Sequence, residues 1–259
     1  MDSVLRCLGA ASEHIYHMDP TKRKALLKEL FATSGNNIGV SYLRMSIGAS
    51  DLNEYVYSYG DPPPGETDPQ LVKFSLQEDQ KYVIPILKQI LAINPKIKIL
   101  GSSWSAPAWM KTTGNVRGGS LKPEYYGAYA KYFAKYVQGM KAQGIHIDAI
   151  TVQNKPLNEK NTPSMAMSAL EQTAFIKGHL GPTFKAAGIN TKILLFDHNC
   201  NHPDYAMEIL NDPQANPWAD SSAFHLYEGK ITAMSTARFP TKIYISPNTW
   251  RWERWISQR

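Results

Sequence analysis

The residues with chemical potential sit at the ends of short apolar runs. Asn154 and Lys155 close the run AITVQ immediately before Pro156. A run of that length, stopped by a residue that cannot donate to a sheet ladder, reads as a buried strand handing polar side chains to its carboxyl end. The placing recurs along the chain. Arg44 and Asp51 flank the end of VSYLRMSI, and Trp104 and Trp109 follow IKILGS. Asp197 and His198 end TKILLFD, and His225, Tyr227 and Glu228 end SSAFH. Taken singly, an Arg in a strand is ordinarily ion-paired, a loop Trp ordinarily packs, and a lone His is ordinarily structural. Repeated at successive strand ends, the clusters describe a mouth for a sugar or polyol. Indole and phenol faces suit the apolar faces of pyranose rings, and Arg, Asp, Asn and His suit the hydroxyls. No glycine-rich phosphate loop and no HExxH or other metal spacing accompanies them, so no cofactor and no metal is expected.

The elements that must hold this mouth alternate. Strands are expected at Val40–Ile47, Ile97–Ser102, Ile145–Val152, Thr191–Asp197, Ser221–His225 and Thr241–Ser246, with a poor first strand inside the patternless stretch Met1–Tyr16. Helices are expected at Lys22–Phe31, behind Pro20, from Ser75 to Ile93, at Glu124–Gly144, at Ser164–Ala187 and around Tyr205–Leu210, with a further short run at Ile231–Thr236. The segment Asn53–Pro69, with Pro62, Pro63 and Pro64 in a row, reads as a long loop. Strands alternating with helices of ten or more residues argue for a parallel α/β sheet. About seven strands, each ending in a polar or aromatic cluster, fit an incomplete (β/α)8 TIM barrel better than a doubly wound sheet.

Bulk properties narrow the classes. A chain of 259 residues, 43% hydrophobic, suits one domain. Lys and Arg total 28 against 22 Asp and Glu, and the excess is scattered rather than clustered, which argues against a nucleic-acid partner. Cys7 and Cys200 are the whole cysteine complement, too few for a disulfide framework, and the sequence leaves open whether those two pair. The N-terminus lacks the features of a signal peptide, and no stretch reaches the roughly 18–20 apolar residues that span a bilayer.

Several stretches together resemble glycoside hydrolase family 30, the glucosylceramidase and β-1,6-glucanase group of retaining glycosidases. They are YLRMSIGASD (42–51), FSLQED (74–79), ILGSSWSAPAWMKTTGNVRGGSLKPE (99–124), ITVQNKPLN (150–158), FDHN (196–199) and AFHLYEG (223–229). The resemblance implies a (β/α)8 barrel joined to a β-sandwich built partly from segments outside this chain, and members that are often secreted or lysosomal. It implies a β-glucoside, oligosaccharide or glycolipid substrate, with Arg44, Asp51, Trp104, Asn154, His225 and Tyr227 lining the glucosyl subsite and Asn154 facing the 2-hydroxyl.

Retaining hydrolysis requires two carboxyl groups about 5–5.5 Å apart, one nucleophile and one acid/base. The family's acid/base ends the fourth strand in Asn-Glu-Pro, where this chain has Asn154-Lys155-Pro156. The nucleophile ends the seventh strand, where the corresponding run leads to Pro247 or Asn248. An ammonium of ordinary pKa, near about 10.4, is a weak proton donor to a glycosidic oxygen. Catalytic impairment is therefore expected. A non-catalytic carbohydrate-binding barrel is the alternative, and a remote one is a Schiff-base lyase that uses Lys155 with Glu228 or Asp197. The GFGG-like motif of the family's first strand is replaced by VLRCLGAA, and the resemblance stops near Ser246. The expectation is a barrel domain over 1–246 with a degenerate first strand and a non-homologous tail over 247–259, as from a truncated or frame-shifted gene.

Overall fold

The computed structural model describes residues 4–5, 8–225, 227–228 and 243–245. Cys7, the run 231–236, Pro247 and Asn248 lie outside the described residues.

Among the described residues seven strands alternate with helices: β1 (Val4–Leu5), α1 (Leu8–His17), α2 (Pro20–Phe31), β2 (Tyr42–Ile47), α3 (Gln77–Lys81), α4 (Val83–Ile93), β3 (Lys98–Ser103), α5 (Tyr126–Ala142), β4 (Ala149–Thr151), α6 (Ala169–Phe175), α7 (Gly181–Ala186), β5 (Lys192–Asn199), α8 (Pro203–Asn211), β6 (Ser221–His225) and β7 (Ile243–Ile245). They form one parallel sheet in chain order, from β1 through β7. A doubly wound sheet would reverse that order part-way, so sequential neighbours throughout are the ordering of a (β/α) barrel. Every described residue of β3, β4, β5 and β6 except those at strand ends is buried, as expected where helices cover one face and the barrel interior the other.

The two faces separate cleanly. Leu43, Met45, Ile47, Ile99, Ile150, Ile193 and Leu195 join the main core beneath the helices. Leu100, Ala149, Leu194 and Ala223, with Tyr42 against them, form a second, smaller cluster on the other face. Because side chains alternate along a strand, the residues two positions further on, Arg44, Ser102, Thr151 and His225, continue that inner face toward the carboxyl end. There the interior turns from apolar to polar.

Several local expectations need correction. Residues 8–17 are helical, although no hydrophobic period marks them, because the buried face of α1 is Leu8, Gly9, Ala10 and Ser12. A Cβ on Gly9 would lie 2.4 Å from Ser46 Oγ, so α1 lies against β2 through backbone rather than through large side chains. The helix expected from Ser164 begins only at Ala169, where Ser168 and Glu171 form a capping box, and Ile176–Leu180 is a π-helical turn between α6 and α7. The strand expected at Ile145–Val152 is shorter, Ala149–Thr151, with Asp148 just before it bonded through its backbone to Ile99 and Lys192. The loop at 53–69 has no regular element but is anchored: Tyr59 is buried, stacks on Tyr132 and Tyr136 at 5.7 Å, and donates to Asp79 at 2.7 Å.

Candidate active site

The inner polar layer converges on Asp197. A register shift between Phe196 and His198 makes β5 bulge as it pairs with β6, and Phe196 and Asp197 take left-handed φ values of 71° and 66°. Strict alternation above Leu194 would turn Phe196 inward. The bulge instead sends Phe196 into the main core and swings Asp197 onto the inner face. The amide of Phe196, out of step with the ladder, donates to Gln172 Oε1 of α6 at 3.0 Å.

Asp197 Oδ2 accepts from Arg44 Nη2 (2.8 Å), Ser102 Oγ (2.7 Å) and Thr151 Oγ1 (2.6 Å), and Oδ1 pairs with His225 Nε2 at 2.8 Å. Arg44 Nη2 also reaches Asn154 Oδ1 at 2.9 Å. One carboxylate thus ties together five neighbouring strands, and Arg44 links it to Asn154 in the turn beyond β4. Burial alone would raise this carboxyl, but the Arg44 guanidinium, His225 and the Thr151 hydroxyl outweigh it and hold the group well below the usual carboxylate range. Burial lowers His225 against the pull of Asp197, and it pushes His198 down to about 4, with His225 acting in the same direction. Both imidazoles are therefore neutral at pH 7.

The other expected residues surround this layer. The Trp104 indole lies over the Arg44 guanidinium, 4.7 Å from centroid to Cζ, and donates to Asp51 Oδ1 at 3.1 Å. Trp104 is only 4% exposed, so its ring is engaged with Arg44 rather than lying open. Asp51 Oδ2 accepts from Asn161 at 2.6 Å. Trp109 does not join the mouth, because it packs edge-on against Tyr125 and donates to Gly60 O. Tyr227 is 60% exposed, 5.9 Å from the His225 ring. Glu228 accepts from Asn201, and no contact with Lys155 is seen among the described residues.

Lys155 sits in a left-handed turn, φ 48°, with its amide donating to Asp197 O at 2.9 Å. Its ammonium lies over the Tyr227 ring, 5.1 Å from the centroid. Sequence reasoning assigned no role to Ser102 or Thr151, since small hydroxyl residues inside strands carry no motif. Only the inner-face alternation from Leu100 and Ala149 could have placed them. Among the described residues no group of three or more His, Cys, Asp or Glu is arranged to hold a metal ion, and no helix is long and apolar enough to cross a membrane.

A sequential parallel sheet with a polar layer at the carboxyl ends of its strands is the arrangement of a TIM-barrel enzyme. The chain belongs to glycosyl hydrolase family 30, whose TIM-barrel domain model matches residues 6–248. It is 36% identical over 223 residues to endo-1,6-beta-D-glucanase neg1 of Aspergillus fumigatus, covering 80% of this chain and 45% of that protein. It is 31% identical over 230 residues to the lysosomal acid glucosylceramidase of Mus musculus, covering 84% and 44%. Among solved structures, the endo-beta1,6-glucanase BT3312 superposes with a TM-score of 0.88 at 37% identity, covering 95% of this chain and 57% of that one. The chain spans under half the length of those two curated relatives.

Proposed function

We propose that this chain is a family 30 barrel that recognises a β-linked glucosyl unit at the mouth formed by Arg44, Asp51, Trp104, Asn154, His225 and Tyr227, and that it turns over substrate poorly. The observation that carries the reading is the position of Lys155. It is delivered by β4 beside the Arg44–Asp197–His225 layer, where a retaining mechanism calls for a carboxyl group able to give and take a proton. An ammonium on a tyrosine face can do neither step efficiently at neutral pH. Substrate preference follows the relatives, a β-1,6-glucan or a glucosylceramide. The nucleophile position, Pro247 or Asn248, belongs to the same proposal, as does a barrel domain running to about residue 246.

Turnover of an aryl β-glucoside is expected near background. It is expected to rise when Lys155→Glu is combined with Pro247→Glu or with Asn248→Glu. Wild-type turnover well above background, abolished by a substitution in this chain, would overturn the impairment. Calorimetric titration with glucose, gentiobiose and detergent-solubilised glucosylceramide tests recognition itself, and no heat with any of them would refute it. The Schiff-base reading needs a desolvated amine. Lys155 is only half-buried and its aromatic neighbour is exposed, so borohydride trapping of a carbonyl ligand is expected to fail.

A further inference from the structure

Two residues of the mouth stand just beyond the strands that deliver them. The β3–β4 ladder ends at Ser102 and Thr151, and one further backbone bond, from the Asn154 amide to Ser103 O at 2.6 Å, carries the pairing past the strand ends. The Trp104 and Asn154 carbonyls lie beyond that bond, where the ladder supplies no donor. What bridges them is Gln153, the last residue of the run AITVQ. Its side chain is fully buried, and its Nε2 donates to Trp104 O at 2.7 Å and to Asn154 O at 3.0 Å. Among the described residues no other donor reaches either carbonyl.

Two buried carbonyls a single atom apart call for a side-chain amide. A lone hydroxyl has one proton to give, and an ammonium or guanidinium would bury a charge. Turned over, the amide would aim its oxygen at two other oxygens, so its orientation is fixed. In that orientation Gln153 Oε1 is buried with no hydrogen-bond partner. The group therefore acts as a donor only, and an unsatisfied acceptor is the cost. The residues it ties both meet on Arg44: the Trp104 ring lies over the guanidinium and its N–H goes to Asp51, while Asn154 Oδ1 accepts from Arg44 Nη2. A binding constellation tolerates errors of only about 0.5 Å in such placements.

We infer that Gln153 is a positioning residue of the glucosyl subsite, its amide clamping the Trp104 and Asn154 backbones at the spacing their side chains need on Arg44. This inference rests on the preceding reading, because it takes Trp104 and Asn154 to contact the glucosyl unit. Gln153, being fully buried, acts on the sugar through those two residues alone.

The test compares wild type, Gln153→Met and Gln153→Glu as whole chains, each shown to be folded by circular dichroism. Met keeps a similar volume without a donor, and Glu keeps the shape but, while ionised, has no proton to give. The first readout needs no sugar. Hydrogen exchange of the Trp104 indole N–H, identified in proton–nitrogen spectra by its loss in Trp104→Phe, is expected to quicken about tenfold in both variants at about pH 7.5. The second is gentiobiose affinity by calorimetry, expected to fall about tenfold in both at that pH. At about pH 5 the affinity of Gln153→Glu, taken as a ratio to wild type at the same pH, is expected to recover about threefold or more. Burial makes the new carboxyl take up a proton, which restores one donor, and Arg44 is already paired with Asp197. Taking the ratio cancels the titration that Asp51, Lys155, His198 and His225 contribute to both proteins. Gln153→Met is expected to stay weak at both pH values. A residue that only stabilised the fold would lower Tm and leave the affinity ratio and its pH profile unmoved. Gentiobiose affinity in folded Gln153→Met within about threefold of wild type, or unchanged indole exchange, overturns the inference while leaving sugar recognition intact. Failure of Gln153→Glu to recover in acid overturns the donor role. If wild type binds no sugar, the function proposed above fails, and indole exchange alone decides whether Gln153 holds Trp104.

Discussion

Replacing Asp197 by Asn keeps the shape of the side chain but leaves the Arg44 guanidinium as an unpaired charge that is 3% exposed. Breaking a buried pair by neutralising one partner costs about 3–5 kcal/mol. For a domain of this size each kcal/mol moves Tm by about 2–4 °C, so the expected fall is about 6–20 °C, read by circular dichroism at pH 7. The pH dependence carries the same signature. A depressed carboxyl contributes fully above the ordinary aspartate value of about 3.9 and loses that contribution as pH falls toward the folded-state value. Wild-type stability should therefore drop in acid below about pH 4 with a slope that Asp197→Asn removes. The double variant Arg44→Met/Asp197→Leu, which removes both charges, should melt higher than Asp197→Asn alone, because two apolar groups leave no unpaired ion. A Tm within about 2 °C of wild type for Asp197→Asn, or a double variant less stable than the single one, would refute the claim that this ion pair organises the mouth.

Other outcomes follow from the same physics. Burial lifts the Asp79 carboxyl to about 7 despite the bonds from Tyr59 and Tyr57, so wild-type stability should fall as pH rises from about 4 to 7 and then level off. Asp79→Asn should gain on wild type across that window by up to a few kcal/mol in urea titrations. Lys111 is fully buried and donates to Ser105 Oγ, Val116 O and Ser164 O. Lys111→Met leaves Ser164 O without its donor, while Val116 O still accepts from the Ser164 amide, so the cost is about 1–3 kcal/mol and should show as a lower Tm and faster proteolysis between residues 111 and 121. Gly48 follows β2 with φ +74°, and a Cβ there would lie 3.1 Å from Tyr57 O. Gly48→Ala should cost at least about 1–2 kcal/mol by chemical denaturation.

The strand–helix alternation was legible because β2, β3, β5 and β6 are apolar runs bounded by turn residues, and β6 coincides with SSAFH to the residue. The polar strand ends that converge on the mouth were legible for the same reason. What the sequence hid were features without a hydrophobic period. Helix α1 buries small residues and makes contact through its backbone, so its pattern is silent. The bulge at Phe196 and Asp197 puts two bulky side chains in left-handed conformations that local preference argues against, and only pairing with β6 and the Gln172 side chain sustains them. Trp104 and Trp109 look alike in sequence, yet one covers Arg44 and the other braces Tyr125, because the loop after β3 turns through a short 3-10 helix at Ala108–Met110.

The sequential strand order has a consequence for synthesis. Each strand emerges from the ribosome when the neighbour it pairs with has already been made, so the sheet can grow in one direction by adding to its leading edge. The inner polar layer cannot mature that way. Arg44, Ser102 and Thr151 are all translated before Asp197 supplies the acceptor they share, and His225 follows a further 28 residues later. A nascent chain halted between β4 and β5 would hold a guanidinium in a half-built interior with no counter-ion.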